Sequence, residues 1–315
     1  MASPLFKLRG KLDSKQSLLL TSLGVLFLIG IWAIVAQFMA EENVRRIRGE
    51  EIEITDRKYY DNDSLRGVDL DKLMAMNNEE LLPYGLRKEM SFKLLPSPIA
   101  VFSSFQELYE EDELVVNTGK SVYLNALGYL LAIGFALPIG FLLGLIPLFR
   151  GLFNRVFDAF RFIPLTAVTG IFIMWLGLDS GMKVSFLAFG IIVYLVPVVI
   201  QRIDEVEDVY LKTTFTLGAT NWQTVKTVYI PSVLSRIFDD IRVLTAISWT
   251  YITIAELLNK SGGIGELIWI ANRQSRIDKA FAILIIIVII GVIQDKLFLL
   301  LDKVFFPYKH VNNHK

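Results

Sequence analysis

The chain has no cysteine, and its two histidines, His310 and His314, fall in the C-terminal tail. Without thiols there are no disulfides, no thiol catalysis and no zinc–thiolate site. Without histidine elsewhere, a histidine-centred active site has nothing to be built from. No metal and no cofactor are expected. Net charge is also lacking, with 32 Lys+Arg against 32 Asp+Glu, and no nucleic-acid partner is expected. A phosphate-binding loop is missing too. Residues 114–121, LVVNTGKS, end like one, but Leu114 stands where the first glycine is required, and no strand–loop–helix context surrounds it. Thr118 reads instead as a helix cap, and nucleotide binding by this chain is excluded.

What is abundant is apolar sequence. The 315 residues are 53% hydrophobic, with a mean hydropathy of +0.49. That lies beyond a soluble globular composition and predicts an all-α, polytopic membrane protein. Residues 17–40 run uncharged behind Lys7, Arg9, Lys11 and Lys15. A signal peptide has an apolar core of about 7–15 residues, so this stretch reads as a first transmembrane helix. Residues 41–117 form a polar excursion with 18 Asp/Glu against 10 Lys/Arg. Within it lie a short alternating stretch at 51–55, a capped helix near 69–82 and an amphipathic helix over 99–111 that begins after Ser97-Pro98. Five further spans follow: 121–147, 162–178, 184–200, 233–258 and 280–301. Pro138 predicts a kink in the first of these and Pro197 a bend in the third. A short basic turn over 150–161 and a tight connection over 179–183 link them.

In the span 121–147, Gly128, Ala132, Ala136, Gly140 and Gly144 recur every four residues. Such a ridge of small residues lets two helix backbones approach closely in lipid. Alternating the six spans from a cytoplasmic N-terminus places fourteen Lys/Arg on short inner segments and five on short outer ones. This bias fits retention of basic residues on the cytoplasmic side. Both termini are then cytoplasmic, and the acidic excursion is extracytoplasmic. The chain divides into residues 1–40 (N-terminus and first span), 41–117 (extracytoplasmic insertion and interfacial helix), 118–306 (a core of five spans) and 307–315 (cytoplasmic tail).

The inner segment 202–231 is too long for a simple connection and carries its own helical signals. Leu211, Phe215, Leu217 and Trp222 recur at helical spacing, Gly218 and Ala219 break the first piece, and Thr220 or Asn221 can cap a second. Val225, Val228 and Ile230 continue an apolar face that Pro231 is expected to end. The pattern predicts a helix, a glycine turn and a second helix at a membrane surface.

Gly218, with Ile230-Pro231 thirteen residues on, resembles the cytoplasmic Glu-Ala-Ala loop of ABC importer permeases. Leu95-Pro-Ser-Pro, Arg161 with Pro164, Trp175-Leu-Gly, Ser261-Gly-Gly-Ile-Gly and Asp278 extend the resemblance over 95–306, to permeases of the nitrate, sulfonate and taurine type. The resemblance implies a coupling helix that docks on a cytoplasmic ATPase subunit, with Lys212, Thr213, Thr214, Leu217, Gly218, Ala219, Thr220, Trp222, Ile230 and Pro231 in the contact. It also implies a second permease copy, an extracytoplasmic solute-binding protein and a bacterial inner membrane. ATP hydrolysis would lie on the separate subunit, so the chain itself is not an enzyme. Lys212-Thr213-Thr214 departs from the family's Glu-Ala-Ala and replaces a carboxylate with an ammonium.

A translocation path needs polar groups on one helix face. Trp249, Thr253 and Glu256 stand at i, i+4 and i+7 with Thr250 beside them, and Thr166 and Thr169 are further candidates. Alternatively, the threonines bond back to their own helix and Glu256 pairs with Lys260. Asn125 is a lesser candidate, and Asp239, Asp240 and Arg242 read as a charge network at the inner mouth. A stand-alone secondary transporter or channel is the competing reading. It would show inverted repeats or an intramembrane ionisable chain, and neither is found.

Overall fold

The computed structural model describes residues 13–46, 54–55, 57–60, 64–91 and 94–310. Lys7, Arg9 and Lys11, residues 51–53 and His314 lie outside the described residues. Helix dominates, and the chain divides into two compact units, Met1–Phe105 with Ser275–Phe281, and Gln106–Gln274 with Ala282–Lys315.

The first unit opens with α1 (Ser14–Phe38), a 25-residue apolar helix. Its Trp32 donates to the Pro96 carbonyl at 2.9 Å and stacks on Phe281. Beyond it β1 (Glu41–Arg46) pairs antiparallel with β5 (Leu86–Ser91), with Glu41 opposite Ser91 and Arg46 opposite Leu86. Between them β2 (Ile54–Thr55), β3 (Lys58–Tyr59) and β4 (Val68–Asp69) form a three-stranded antiparallel sheet. Val44, Tyr59, Leu65, Leu73, Leu81 and Leu86 make a small core of their own. The helix expected near 69–82 is two helices, α2 (Leu70–Ala75) and α3 (Asn78–Leu81). Asp69 caps the first. Asn77 starts the second through a capping box with Glu80, and that competing cap is what splits the predicted helix. The helix α4 (Pro98–Glu110) starts where Ser97 accepts from the Ala100 amide.

The second unit is built on α5 (Leu114–Leu145) and α8 (Ser180–Asp204). Ala132 and Ala136 are fully buried. A Cβ added at Gly140 would lie 2.5 Å from Cβ of Val199, and one at Gly144 would lie 2.5 Å from Cδ1 of Ile203. The two helices pack across this small-residue face. Thr118 is no cap. The helix begins a full turn earlier, after Glu113, and the buried Thr118 hydroxyl has no hydrogen-bond partner. The helix continues through Pro138.

The region expected as a basic turn is a 14-residue amphipathic helix, α6 (Pro147–Phe160), with Pro147 at its start. Leu148, Leu152 and Val156 at helical spacing drive it. It is followed by α7 (Leu165–Leu176) across a 104° bend. The predicted span 162–178 is therefore not one straight helix. Its helical part has 12 residues, about 18 Å at 1.5 Å per residue, too short to cross a bilayer alone. Lys183 is not in a connection either: it lies inside α8, fully buried. Pro197 also lies within α8.

The helices α9 (Asp208–Thr216) and α10 (Asn221–Thr224) lead through a π-helical segment, Val225–Tyr229, into α11 (Ile230–Asn259). Pro231 does not stop this helix. Asn221–Asn259 runs continuously for 39 residues, and the Ile230 amide reaches back five residues to the Val225 carbonyl. The wider π turn takes up the missing proline N–H. Then come α12 (Ile264–Arg273), α13 (Ile277–Phe305) and α14 (Pro307–His310). Among the described residues, five helices are long and apolar enough to cross a membrane, or six if α6 and α7 together make one broken span.

Candidate functional site

Two constellations stand out, one at each end of α11. At the Ile230 end, α9 stops at Gly218, whose φ of +78° is a conformation that glycine adopts without strain. The Gly218 amide donates to the Phe215 carbonyl and the Ala219 amide to the Thr214 carbonyl, both at 3.0 Å. This pair of bonds is a Schellman motif, which terminates a helix cleanly. Thr220 then opens α10 with a reciprocal capping box to Gln223. The hydroxyls of Thr213 and Thr214 bond back to the carbonyls of Val209 and Leu211. Lys212 sits 3.8 Å from Asp208 with both side chains largely in solvent, a geometry worth little. Leu217 and Trp222, before and after the turn in sequence, are 81% and 70% exposed.

This segment is tied down by charge at its base. Arg202 grips Asp240 with two bonds of 2.7 Å and Glu205 with a third. Arg150 forks onto Asp204, and Arg242 onto Asp295. Lys309 reaches Asp239 at 2.7 Å and Asp302 at 3.1 Å. Asp239, Asp240 and Arg242 thus each take a partner on a different element. The Arg202 hydrogen bond holds the Glu205 carboxyl below its ordinary range. The Glu205 contribution is therefore present at neutral pH and is lost only as pH falls through that depressed value.

At the Asn259 end, the loop Ser261-Gly-Gly-Ile-Gly is laced to three helices. From α5, Asn117 accepts from the Gly263 amide at 2.9 Å, Ser121 accepts from the Ile264 amide at 2.8 Å, and Lys120 donates to the Ser261 carbonyl. From α8, Lys183 donates to the Gly262 carbonyl at 2.9 Å. From α11, Glu256 accepts from Gly265 at 2.9 Å and from the Ser121 hydroxyl at 2.6 Å. Glu256, Ser121 and Lys183 are all fully buried. The loop threads so closely that a Cβ at Gly263 would collide with the Glu256 carboxylate, and φ there is +108°. We call this arrangement the latch.

The structure does not gather the six path candidates into one polar face. Glu256 belongs to the latch, and Lys260 lies over the Trp269 ring at 3.9 Å rather than on Glu256. Trp249 is buried and donates to Gln294 at 2.8 Å. Thr253 bonds back to the Trp249 carbonyl and Thr169 to that of Thr166. Thr166 and Thr250 are exposed. Asn125 accepts from Ser248 at 3.1 Å. Of the further residues that the structure brings into these contacts, only Lys183 carries a sequence signal, a lysine at the edge of an apolar run; Ser121, Asn117 and Gln294 carry none.

The family described as binding-protein-dependent transport system inner membrane component matches residues 136–305, more than half of the chain. The chain is 31% identical over 218 residues to SsuC of Bacillus subtilis, named as an aliphatic sulfonates transport permease. That match covers 68% of this chain and 78% of the relative. It is 26% identical over 212 residues to the nitrate import permease NrtB of Synechococcus elongatus, covering 63% and 75%. A chain of the inward-facing MetNI methionine ABC transporter superposes with a TM-score of 0.53 at 18% identity, over 61% of this chain and 95% of that one, which speaks to the fold. This chain, with its broken helix pair and its glycine-turn segment, belongs to the family of multi-pass inner-membrane permease components of binding-protein-dependent ABC transporters.

Proposed function

We propose that the chain is the permease subunit of an ATP-driven importer for a small anion of the sulfonate or nitrate type, with α9, Gly218 and α10 as the element gripped by cytoplasmic ATPase subunits. The observation that carries this reading is the exposure of Leu217 and Trp222 beside a turn that is closed by the Gly218 and Ala219 amide bonds and by the Thr220–Gln223 capping box, with its base fixed by ion pairs. Exposed apolar side chains on a rigid, polar-rimmed turn are what a partner's groove requires. A push on such a segment passes directly to α8 and α11 through Arg202, Asp240 and Glu205. The distribution of Lys and Arg supports placing this end, and both termini, in the cytoplasm. A second copy of the permease and an extracytoplasmic solute-binding protein complete the importer within the lipid bilayer. The exposed ammonium of Lys212 suits an acidic contact on the ATPase, in place of the carboxylate-to-base contact of the family.

Gly218→Pro tests this. Proline fixes φ near −65° and cannot occupy a turn at +78°, a local cost of about 3 kcal/mol or more. The variant is expected to insert normally and to lose stimulation of the ATPase subunits. Wild-type stimulation in that variant would remove the coupling role.

A further inference from the structure

The break between α6 and α7 opens a cavity of about 220 Å³ that neither the coupling segment nor the latch uses. Its walls come from the break itself, from one face of α8 and from Tyr251 and Ile254 on α11. Five aromatic rings line it: Phe160, Phe162, Phe189, Tyr194 and Tyr251. Phe160 lies 6.5 Å from Phe189, and Phe172 and Phe186, outside the lining, link Phe189 to Tyr251. The wall depends on a missing side chain. A Cβ on Gly190 would stand 2.7 Å from Cδ2 of Leu165 and 2.7 Å from the Tyr251 ring. The Tyr251 ring therefore packs against α8 at Gly190. The polar groups are few: Thr166, Tyr194, Tyr251 and Arg161, whose guanidinium gives one N–H to Asp158 at 2.9 Å.

We propose that this cavity is a solute site, and that its solute is an organic anion with a flat apolar body and one sulfonate-like head, not an inorganic oxyanion. The inference rests on the importer reading above and narrows its solute class. Size supports it. A dry apolar cavity of about 150 Å³ accepts benzene, so 220 Å³ holds one ring with a small head group. Chemistry supports it as well. A bare oxyanion would exchange its hydration for phenyl faces that return no hydrogen bonds. An organic anion lays its body on the rings and offers its head to the Arg161 fork and the tyrosine hydroxyls. A discontinuous helix pair lining a cavity is also how membrane transporters make polar backbone available inside the bilayer.

The full-length chain in lipid nanodiscs, titrated calorimetrically with benzenesulfonate and in parallel with sodium nitrate, tests the proposal. Benzenesulfonate is expected to bind saturably at one site, and nitrate to show no saturation. Gly190→Ala drives a methyl into Tyr251 and should weaken binding by about tenfold. Tyr251→Phe keeps the ring and removes the hydroxyl, with an expected loss of about threefold to tenfold and an unchanged melting temperature. Equal binding of nitrate, failure of benzenesulfonate to saturate, or wild-type affinity in both variants would overturn the proposal. ATP-driven uptake in the same preparations separates the two readings. Uptake that requires the ATPase subunits while benzenesulfonate fails to bind removes this inference alone, and uptake without them removes the importer reading.

Discussion

Glu256→Ala is expected to lower the stability of the purified chain by about 3–5 kcal/mol, the usual cost of removing one partner from a buried charged cluster. The loss has identifiable parts. The Gly265 amide and the Ser121 hydroxyl lose their acceptor. The Lys183 ammonium, fully buried and held on the Gly262 carbonyl, loses the anion on the far side of the same loop. Each unsatisfied buried donor adds about 1–3 kcal/mol. Glu256→Gln keeps an acceptor for Gly265 and removes only the charge, so its effect should be smaller. Adding Lys183→Met to Glu256→Ala should recover part of the loss, because the stranded ammonium goes with it. The absence of cysteine makes thiol-reactive dyes useless here, so the readout is the fluorescence of the five tryptophans during a thermal melt. A Glu256→Ala shift equivalent to less than about 1 kcal/mol would show that the latch carries no weight.

Gly140→Val is the second large effect. Its first added carbon would already lie 2.5 Å from Val199, well inside the contact distance of about 3.5–4.0 Å. Neither side can yield. Val199 is fully buried, and its helix is held one turn further on by Gly144 against Ile203. Overpacking of this kind costs about 1–3 kcal/mol when a core can adjust, and here the helices must separate. A comparison within the same helix isolates the cause. Gly134 has nothing within 4 Å of its Cβ position, so Gly134→Ala should be neutral or stabilising, by up to about 1 kcal/mol. Melting temperatures of the two variants that fall equally would rule out helix contact as the reason for the Gly140 effect.

What could be read in the sequence is local. Gly218, Thr220 and Gln223 lie within six positions, and their turn and cap chemistry depends on almost nothing outside the segment. The boundaries of α1, α4 and α13 follow from hydropathy and from Ser97-Pro98 for the same reason. What could not be read is long-range. Ser121 and Glu256 stand 135 positions apart, and no periodicity in either helix announces that they meet. β1 and β5 pair across a forty-residue gap that contains another sheet, and their charged residues resemble a solvated loop. The α6–α7 break was concealed by hydropathy, because Phe162 and Ile163 fill the bend with apolar side chains. Lys183 was misplaced for a related reason. A lysine next to an apolar run reads as the edge of a span, whereas here the glycine loop folds over it and supplies the carbonyl it needs. A proline such as Pro231 ordinarily ends a helix, and the π turn before it absorbs that effect.

The lack of native cysteine also makes the central claim directly measurable. Leu217→Cys and Trp222→Cys place single thiols on the exposed sides of the Gly218 turn, and Leu258→Cys places one at the far end of α11. Membranes holding each variant together with the ATPase subunits are labelled with benzophenone-4-maleimide, whose maleimide takes the single thiol, and are then irradiated so that the benzophenone inserts into C–H bonds of whatever lies against it. The account predicts a crosslink to the ATPase from positions 217 and 222 and none from position 258. A crosslink from position 258 with none from 217 or 222 would contradict it.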